Sequence, residues 1–283
     1  MPLIRAFFVG AIKRHPITST DANSGRPENT VVNLVGGRRG RQHPPSYTPG
    51  LPGPSRNDGS ITSISPGLLG AWHLTLGPSA FPCPMTFLFD IGKVILDFHF
   101  EPSLAKLLPP DTADANERLS VLLEKKDDFE GGRIPVADYV PWAIERLGSP
   151  VSEADFLHAW RNIFTPNLPM WQVIESLAAN GHQLILFSNT NGIHCPWIFE
   201  TYEIFRHFGG AVLSYETGSI KPEPAIYHHA ITAHGLKPAE TRYIDDLPAN
   251  IETGKKLGFR SWQYDLNDHP AFERWLATEL LHG

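Results

Sequence analysis

The 283-residue sequence predicts an α/β fold, a doubly wound parallel sheet with an inserted all-helical cap and a disordered N-terminal extension. Three observations carry that expectation. After residue 85, short apolar runs alternate with amphipathic helical patterns; one long stretch inside that alternation is helical throughout; and composition breaks sharply near residue 84.

The extension comes first. Residues 1–84 hold eight Lys and Arg against three acids, with 12 of the 26 Pro and 11 of the 24 Gly. Breaker clusters such as Val35 to Arg41 and Tyr47 to Pro54 cut every helical or strand period short. Such a segment buries too little apolar surface to offset its chain entropy and is read as disordered. Its opening is basic and acid-free like a transit peptide, but the apolar run Ala6 to Ile12 is short and no small-residue cleavage site follows. The folded part is therefore expected to begin at Met85, with the upstream residues either a tail or a mis-assigned translation start.

From Met85 onward, apolar runs at Thr86 to Phe89, Gln183 to Phe187, Gly210 to Leu213, Thr241 to Ile244 and Phe259 to Tyr264 read as strands. Helical patterns at Trp171 to Ala179, Pro224 to His234 and Ala249 to Leu257 lie between them, each closed by a glycine at 181, 235 or 258. Alternation of this kind means crossover units and a parallel sheet covered on both faces. Ser103 to Phe164 breaks the alternation, with helical patterns at Ala115 to Lys126, Val136 to Leu147 and Glu153 to Phe164 and no strand. The expected organisation is an extension over 1–84, a sheet core over 85–101 and 166–283, and a helical cap over 102–165.

Composition narrows the function. The part after residue 84 carries 16 basic residues against 27 acids, and the whole chain a net charge of -6, which argues against nucleic acid or an acidic membrane as partner. No run approaches the roughly 20 apolar residues of a membrane span. Two cysteines, Cys83 and Cys195, make a disulfide framework improbable and point to the reducing cytoplasm.

Four polar features stand at or just beyond the ends of predicted strands: Asp90, Ser188, Lys221 and the pair Asp245–Asp246. Parallel strands bring their carboxyl ends to one edge, where such sheets place ligands. Taken alone, Asp90 reads as a turn cap, Lys221 as a solvated turn lysine, and the acid pair as a cap for the helix near Pro248. Together they supply a nucleophile, a hydroxyl donor, a fixed cation and a metal-binding pair, the parts of phosphoryl transfer through an aspartyl phosphate.

In this order the motifs Phe89 to Val94, Phe187 to Asn191, Ile220 to Pro224 and Tyr243 to Asp246 resemble those of the haloacid dehalogenase superfamily, over everything from Met85 to the C-terminus. The Ser-Asn-Thr-Asn tetrad and the cap are similar to the branch related to alpha-D-glucose-1-phosphate phosphatase. The resemblance implies a Rossmann-like core and a Mg2+-dependent phosphatase of a small phosphorylated metabolite, with sugar phosphates leading. It implies Asp90 as nucleophile; Asp90, the Gly92 carbonyl and Asp245 as metal ligands; and Ser188, the Asn189 backbone and Lys221 on the phosphoryl oxygens. Asp246 is assigned to orienting a metal-bound water or Asn250.

Two departures stand out. Most phosphatases of the superfamily carry a second Asp two positions after the nucleophile as general acid, a contribution of about 10² to 10⁴ in rate; here that position is Gly92. A good leaving group, such as an anomeric hydroxyl, loses least by this, which fits the named branch. Lys93 replaces the usual Asn or Gly and either touches substrate or points outward. His194 is balanced between lining the pocket and a structural role, Cys195 is read as an inert thiol, and the tryptophans at 142, 160, 171, 197, 262 and 275 as packing. A dehalogenase using an aspartyl ester and a non-catalytic phosphate-binding member of the fold stand as alternatives; oligomeric state is left open.

Overall fold

The computed structural model describes residues 84–282. The expectations placed on residues 1–83, the disordered extension, the mis-assigned start and Cys83, lie outside the described residues. Five strands form one parallel sheet: β1 (Thr86–Phe89), β4 (Gln183–Ser188), β5 (Gly210–Leu213), β6 (Thr241–Asp245) and β7 (Arg260–Gln263), in the order β5-β4-β1-β6-β7. β1 sits at the centre, its Phe89 beside Leu186 of β4 on one side and Ile244 of β6 on the other.

Strand alternation splits the core into two layers. Phe87 and Phe89 join Leu184 and Leu186 in one cluster, while Leu88 joins Ile185, Phe187 and Tyr243 in the other. Because both faces are covered, the strands read as continuous apolar runs rather than alternating ones. The first face packs against α6 (Leu168–Ala179), α7 (His194–Thr201) and α11 (His269–His282) through residues such as Ile174, Ile198 and Phe272. The second packs against α9 (Pro224–His234) and α10 (Pro248–Lys256) through Tyr227 and Ile251.

A helical excursion leaves the sheet after β1. It contains α1 (Phe100–Leu104), α2 (Ala115–Val121), α3 (Lys126–Glu130), α4 (Val136–Leu147) and α5 (Glu153–Arg161), gathered around Tyr139, Phe156 and Trp160. The expected strand-free stretch differs at its end: β3 (Phe164–Pro166) pairs antiparallel with β2 (Leu96–Phe98), Phe98 facing Phe164. Three-residue strands show no period to a sequence reading, and this pair forms the stem through which the chain enters and leaves the helices. The expected helix from Ala115 to Lys126 is also interrupted. Leu122 is buried, its carbonyl accepts the Tyr139 hydroxyl at 2.8 Å, and the Lys126 amide turns to Leu123 instead, so the helix restarts as α3. The helix expected to reach Phe164 stops at Arg161.

Candidate active site

The sheet brings the sequence-predicted residues to one edge. β1 stops at Phe89, and the Asp90 amide continues the ladder by donating to the Ile244 carbonyl at 2.9 Å. That bond fixes Asp90 beside the end of β6, where Asp245 and Asp246 follow. Ser188 ends β4, and Lys221 arrives after β5 and the short helix α8 (Ser214–Thr217). Asp90, Ser188, Lys221 and Asp245 are all buried.

Lys221 is the centre of the arrangement. Its Nζ lies 2.6 Å from Asp245 Oδ2, 3.1 Å from Asp90 Oδ1 and 2.6 Å from the Phe187 carbonyl. Burial alone would push its pKa down, but the attraction of Asp245 and Asp90 raises it above the usual lysine value, so the cation is permanent. Carboxylate oxygens of Asp90, Asp245 and Asp246 all lie within 4.8 Å of one another. Burial pushes Asp90 up to about 6 against the pull of Lys221, and burial with the charges of Asp90 and Asp245 pushes Asp246 up to about 8. One lysine does not neutralise three crowded acids, and a hard divalent cation is what such a donor set accepts.

The two members of the acid pair are engaged differently. Asp245 Oδ1 accepts from the Leu247 amide and Asn250, and Oδ2 from Lys221, the Tyr243 hydroxyl at 2.7 Å and Asn250. No hydrogen bond from another side chain of the described residues reaches the Asp246 carboxylate; Gln263 reaches only its backbone carbonyl. Asp245 thus has its acceptor capacity filled as the counter-ion of Lys221, whereas Asp246 presents an open carboxylate towards Asp90.

The Ser-Asn-Thr-Asn tetrad divides its labour. Ser188 stands beside Asp90, and its hydroxyl helps to hold that carboxylate ionised. Asn189 forms a two-bond amide clamp with Lys221, accepting from the Lys221 amide and donating to its carbonyl, each at 2.8 Å. The loop after β4 and the loop bearing the cation are therefore one unit. Thr190 is tied to Ser214, and Asn191 Oδ1 accepts from the Ile193 and His194 amides at the start of α7. Sequence reasoning missed both α7, whose Pro196 is tolerated only because it lies in the first turn, and these side-chain clamps.

His194 belongs to the packing. One ring nitrogen lies 3.0 Å from the Trp160 carbonyl and the other 3.1 Å from Asn191 Nδ2, an arrangement that suits a neutral ring donating to the former and accepting from the latter. It joins α5 to the loop after β4. Burial pushes it down to about 4 from 6.5. The unfolded chain therefore takes up a proton that the folded ring refuses, and stability present above pH 6.5 is lost as pH falls towards 4, about 3 kcal/mol in all. Urea unfolding across that window should show the stability gap between wild type and His194→Gln narrowing as pH falls; a constant gap would contradict the assignment. Cys195 is buried and its thiol is pushed up to about 12 by burial, which leaves it inert.

A Cβ at Gly92 would stand 2.9 Å from Phe98 Cε1, so a side chain at this position would require the aromatic ring of β2 to shift. Lys93 holds the left-handed backbone (φ 57) and turns back onto β2, pairing with Asp97, donating to the Phe98 carbonyl at 2.8 Å and lying over the Phe98 ring. Phe98 carries no polar atom by which a sequence reading could have found it.

A family profile described as haloacid dehalogenase-like hydrolase matches residues 84–258. D-ribitol-5-phosphate phosphatase of Bacteroides thetaiotaomicron is 27% identical over 184 residues, covering 62% of this chain and 89% of the relative. Among solved structures, a predicted HAD-like family hydrolase from Porphyromonas gingivalis superposes with a TM-score of 0.56 at 26% identity, covering 68% of this chain and 98% of that one. A HAD family enzyme from Bacteroides thetaiotaomicron, in complex with magnesium and inorganic phosphate, superposes with a TM-score of 0.57 at 24% identity, over 65% and 96%.

Proposed function

The chain belongs to the haloacid dehalogenase-like hydrolases, and from that footing we propose that it is a Mg2+-dependent phosphatase of a small sugar or sugar-alcohol phosphate. The observation that carries this reading is Lys221, buried between Asp90 and Asp245 with a third carboxylate, Asp246, in the same cluster. A fixed cation beside a carboxylate nucleophile, next to a cation-hungry acid set, is suited to phosphoryl transfer. A dehalogenase has no use for the acid set.

In this mechanism ionised Asp90 attacks phosphorus; the new bond is Asp90 oxygen to phosphorus and the bond broken is phosphorus to ester oxygen. The Ser188 hydroxyl, the Asn189 backbone N–H and Lys221 bind the phosphoryl oxygens, and the side-chain clamp from Asn189 to the Lys221 backbone keeps those donors in one frame. Water then attacks the aspartyl phosphate, releasing inorganic phosphate and restoring Asp90. Mg2+, held by Asp90, the Gly92 carbonyl and Asp246, would neutralise the crowded carboxylates and the phosphoryl charge. This assignment departs from the sequence expectation, which gave Asp245 to the metal: Asp245 is already saturated as the partner of Lys221, and Asp246 is the acid with open oxygens.

No acid at position 92 protonates the leaving group, so the departing alkoxide takes its proton from solvent. This favours esters with acidic alcohols, the anomeric phosphates that lead the sequence reading; the similarity to a ribitol-5-phosphate phosphatase supports the polyhydroxylated class more broadly. The buried free thiol of Cys195 supports a cytoplasmic setting, and no helix of the described residues is long and apolar enough to cross a membrane. The test is phosphate release from a panel of sugar and sugar-alcohol phosphates by the full chain. Release is expected with Mg2+, stops with EDTA and returns when Mg2+ is restored. Silence across the panel, or release indifferent to the chelator, would overturn the reading.

A further inference from the structure

Lys126 and Glu130 stand one turn apart on α3, and the mechanism uses neither. Lys126 Nζ lies 3.1 Å from Glu130 Oε2 and 2.8 Å from Asp127 Oδ1. Glu130 keeps only 15% of its side-chain surface. Its Oε1 accepts no hydrogen bond from the described residues, since Lys126 reaches only Oε2. Burial raises its pKa, against the pull of Lys126. Its charge is felt by Tyr139, whose ring stacks on Phe129 in the apolar interior of the helical excursion. A half-buried carboxylate with one oxygen left open gains little from such surroundings, so packing alone does not explain Glu130.

Its position does. The turn after α3 abuts the carboxyl edge of the sheet: a Cβ on Gly132 would fall 2.2 Å from the Tyr215 carbonyl oxygen, and one on Gly192 would fall 3.1 Å from Val136 Cγ2. Tyr215 follows β5 and Gly192 follows the tetrad after β4, the same edge that carries Asp90, Ser188 and Lys221. Glu130 is close enough for its carboxylate to be stabilised by the charge of Lys221 itself. A carboxylate with an open oxygen and a cation beside it therefore stands at the edge of the sheet that carries the site.

We propose that Lys126 and Glu130 bind the leaving-group part of the substrate through its hydroxyls, Glu130 accepting from them and Lys126 donating, so that the pair selects polyhydroxylated esters. This rests on the phosphatase reading above. An anionic leaving group would meet Glu130 and Asp127 as like charges, and an apolar one would leave the open carboxylate oxygen without a donor. Vicinal hydroxyls supply the donor that the open Glu130 oxygen lacks and can also accept from Lys126.

The test compares kcat/KM of the full chain on a pentitol phosphate and on phenyl phosphate, whose leaving group carries no further hydroxyl. Glu130→Gln, which keeps the shape, and Lys126→Met should each lower kcat/KM for the pentitol ester roughly 10- to 100-fold, mainly through KM. Phenyl phosphate should change less than about threefold, with thermal midpoints recorded alongside. If Lys126→Met fails to fold, the two-substrate comparison for Glu130→Gln decides alone. Equal loss on both esters, or none on the pentitol ester, overturns the proposal. Release from neither ester by the wild-type chain would instead overturn the phosphatase reading beneath it.

Discussion

Asp90→Asn is expected to lower phosphate release by at least about 10⁴-fold on every substrate, because the amide supplies no nucleophile and the remaining donors only bind. The fold should not suffer. Burial raises the Asp90 pKa to about 6 even against the pull of Lys221, so its charge is held at a net cost; the Asn oxygen can still accept from the Ile91 amide, and the backbone bond from residue 90 to the Ile244 carbonyl keeps the loop in place. The thermal midpoint of the variant should equal or exceed that of the wild type without added metal. A phosphoryl mimic such as beryllofluoride should label wild type and not the variant. Activity that survives the substitution would remove Asp90 from the chemistry; activity lost together with a lower midpoint would mark it as structural.

Lys221→Met should act on stability as well as activity. Its ammonium is the counter-charge of two buried carboxylates and donates to the Phe187 carbonyl, with no exposed side-chain surface of its own. Removing one partner of such a cluster leaves buried charge uncompensated, at about 3–5 kcal/mol. The folded state can answer by protonating Asp90, whose pKa burial already raises, so the loss should be larger at pH 8 than at pH 5. Urea unfolding measures it directly, and millimolar Mg2+ should restore part of the loss because the cation substitutes for the missing charge. A variant as stable as wild type at both pH values would contradict the geometry of the cluster. Phosphate release should vanish even where Mg2+ restores the fold, because the fixed donor to the phosphoryl oxygens is gone.

The parts of this protein that were legible from its residues share one property: each follows from local chemistry along the chain. Continuous apolar runs such as Phe87 to Phe89 announce strands buried on both faces, and Gly181, Gly235 and Gly258 mark the ends of the patterns before them. Parallel topology then brings Asp90, Ser188, Lys221 and Asp245 together without further information. β2 and β3 escaped because three residues carry no period, and α2 broke at Leu122 because a carbonyl there serves Tyr139, 17 positions away.

At the site, the residue types declared a nucleophile, a cation and an acid pair, and tertiary structure decided how they are used. Adjacent Asp245 and Asp246 are equivalent in sequence. They differ only because neighbouring groups turn one towards Lys221, Tyr243 and Asn250 and leave the other open to Asp90. Gly92 told of a missing acid, but only the packing of β2 shows the Phe98 ring lying against the vacant Cβ position. Sequence by itself determined which groups reach the carboxyl edge, since strand direction and length do that. Only the tertiary structure decided their partners, because a carboxylate's role follows from which donors surround it and how far it is from water.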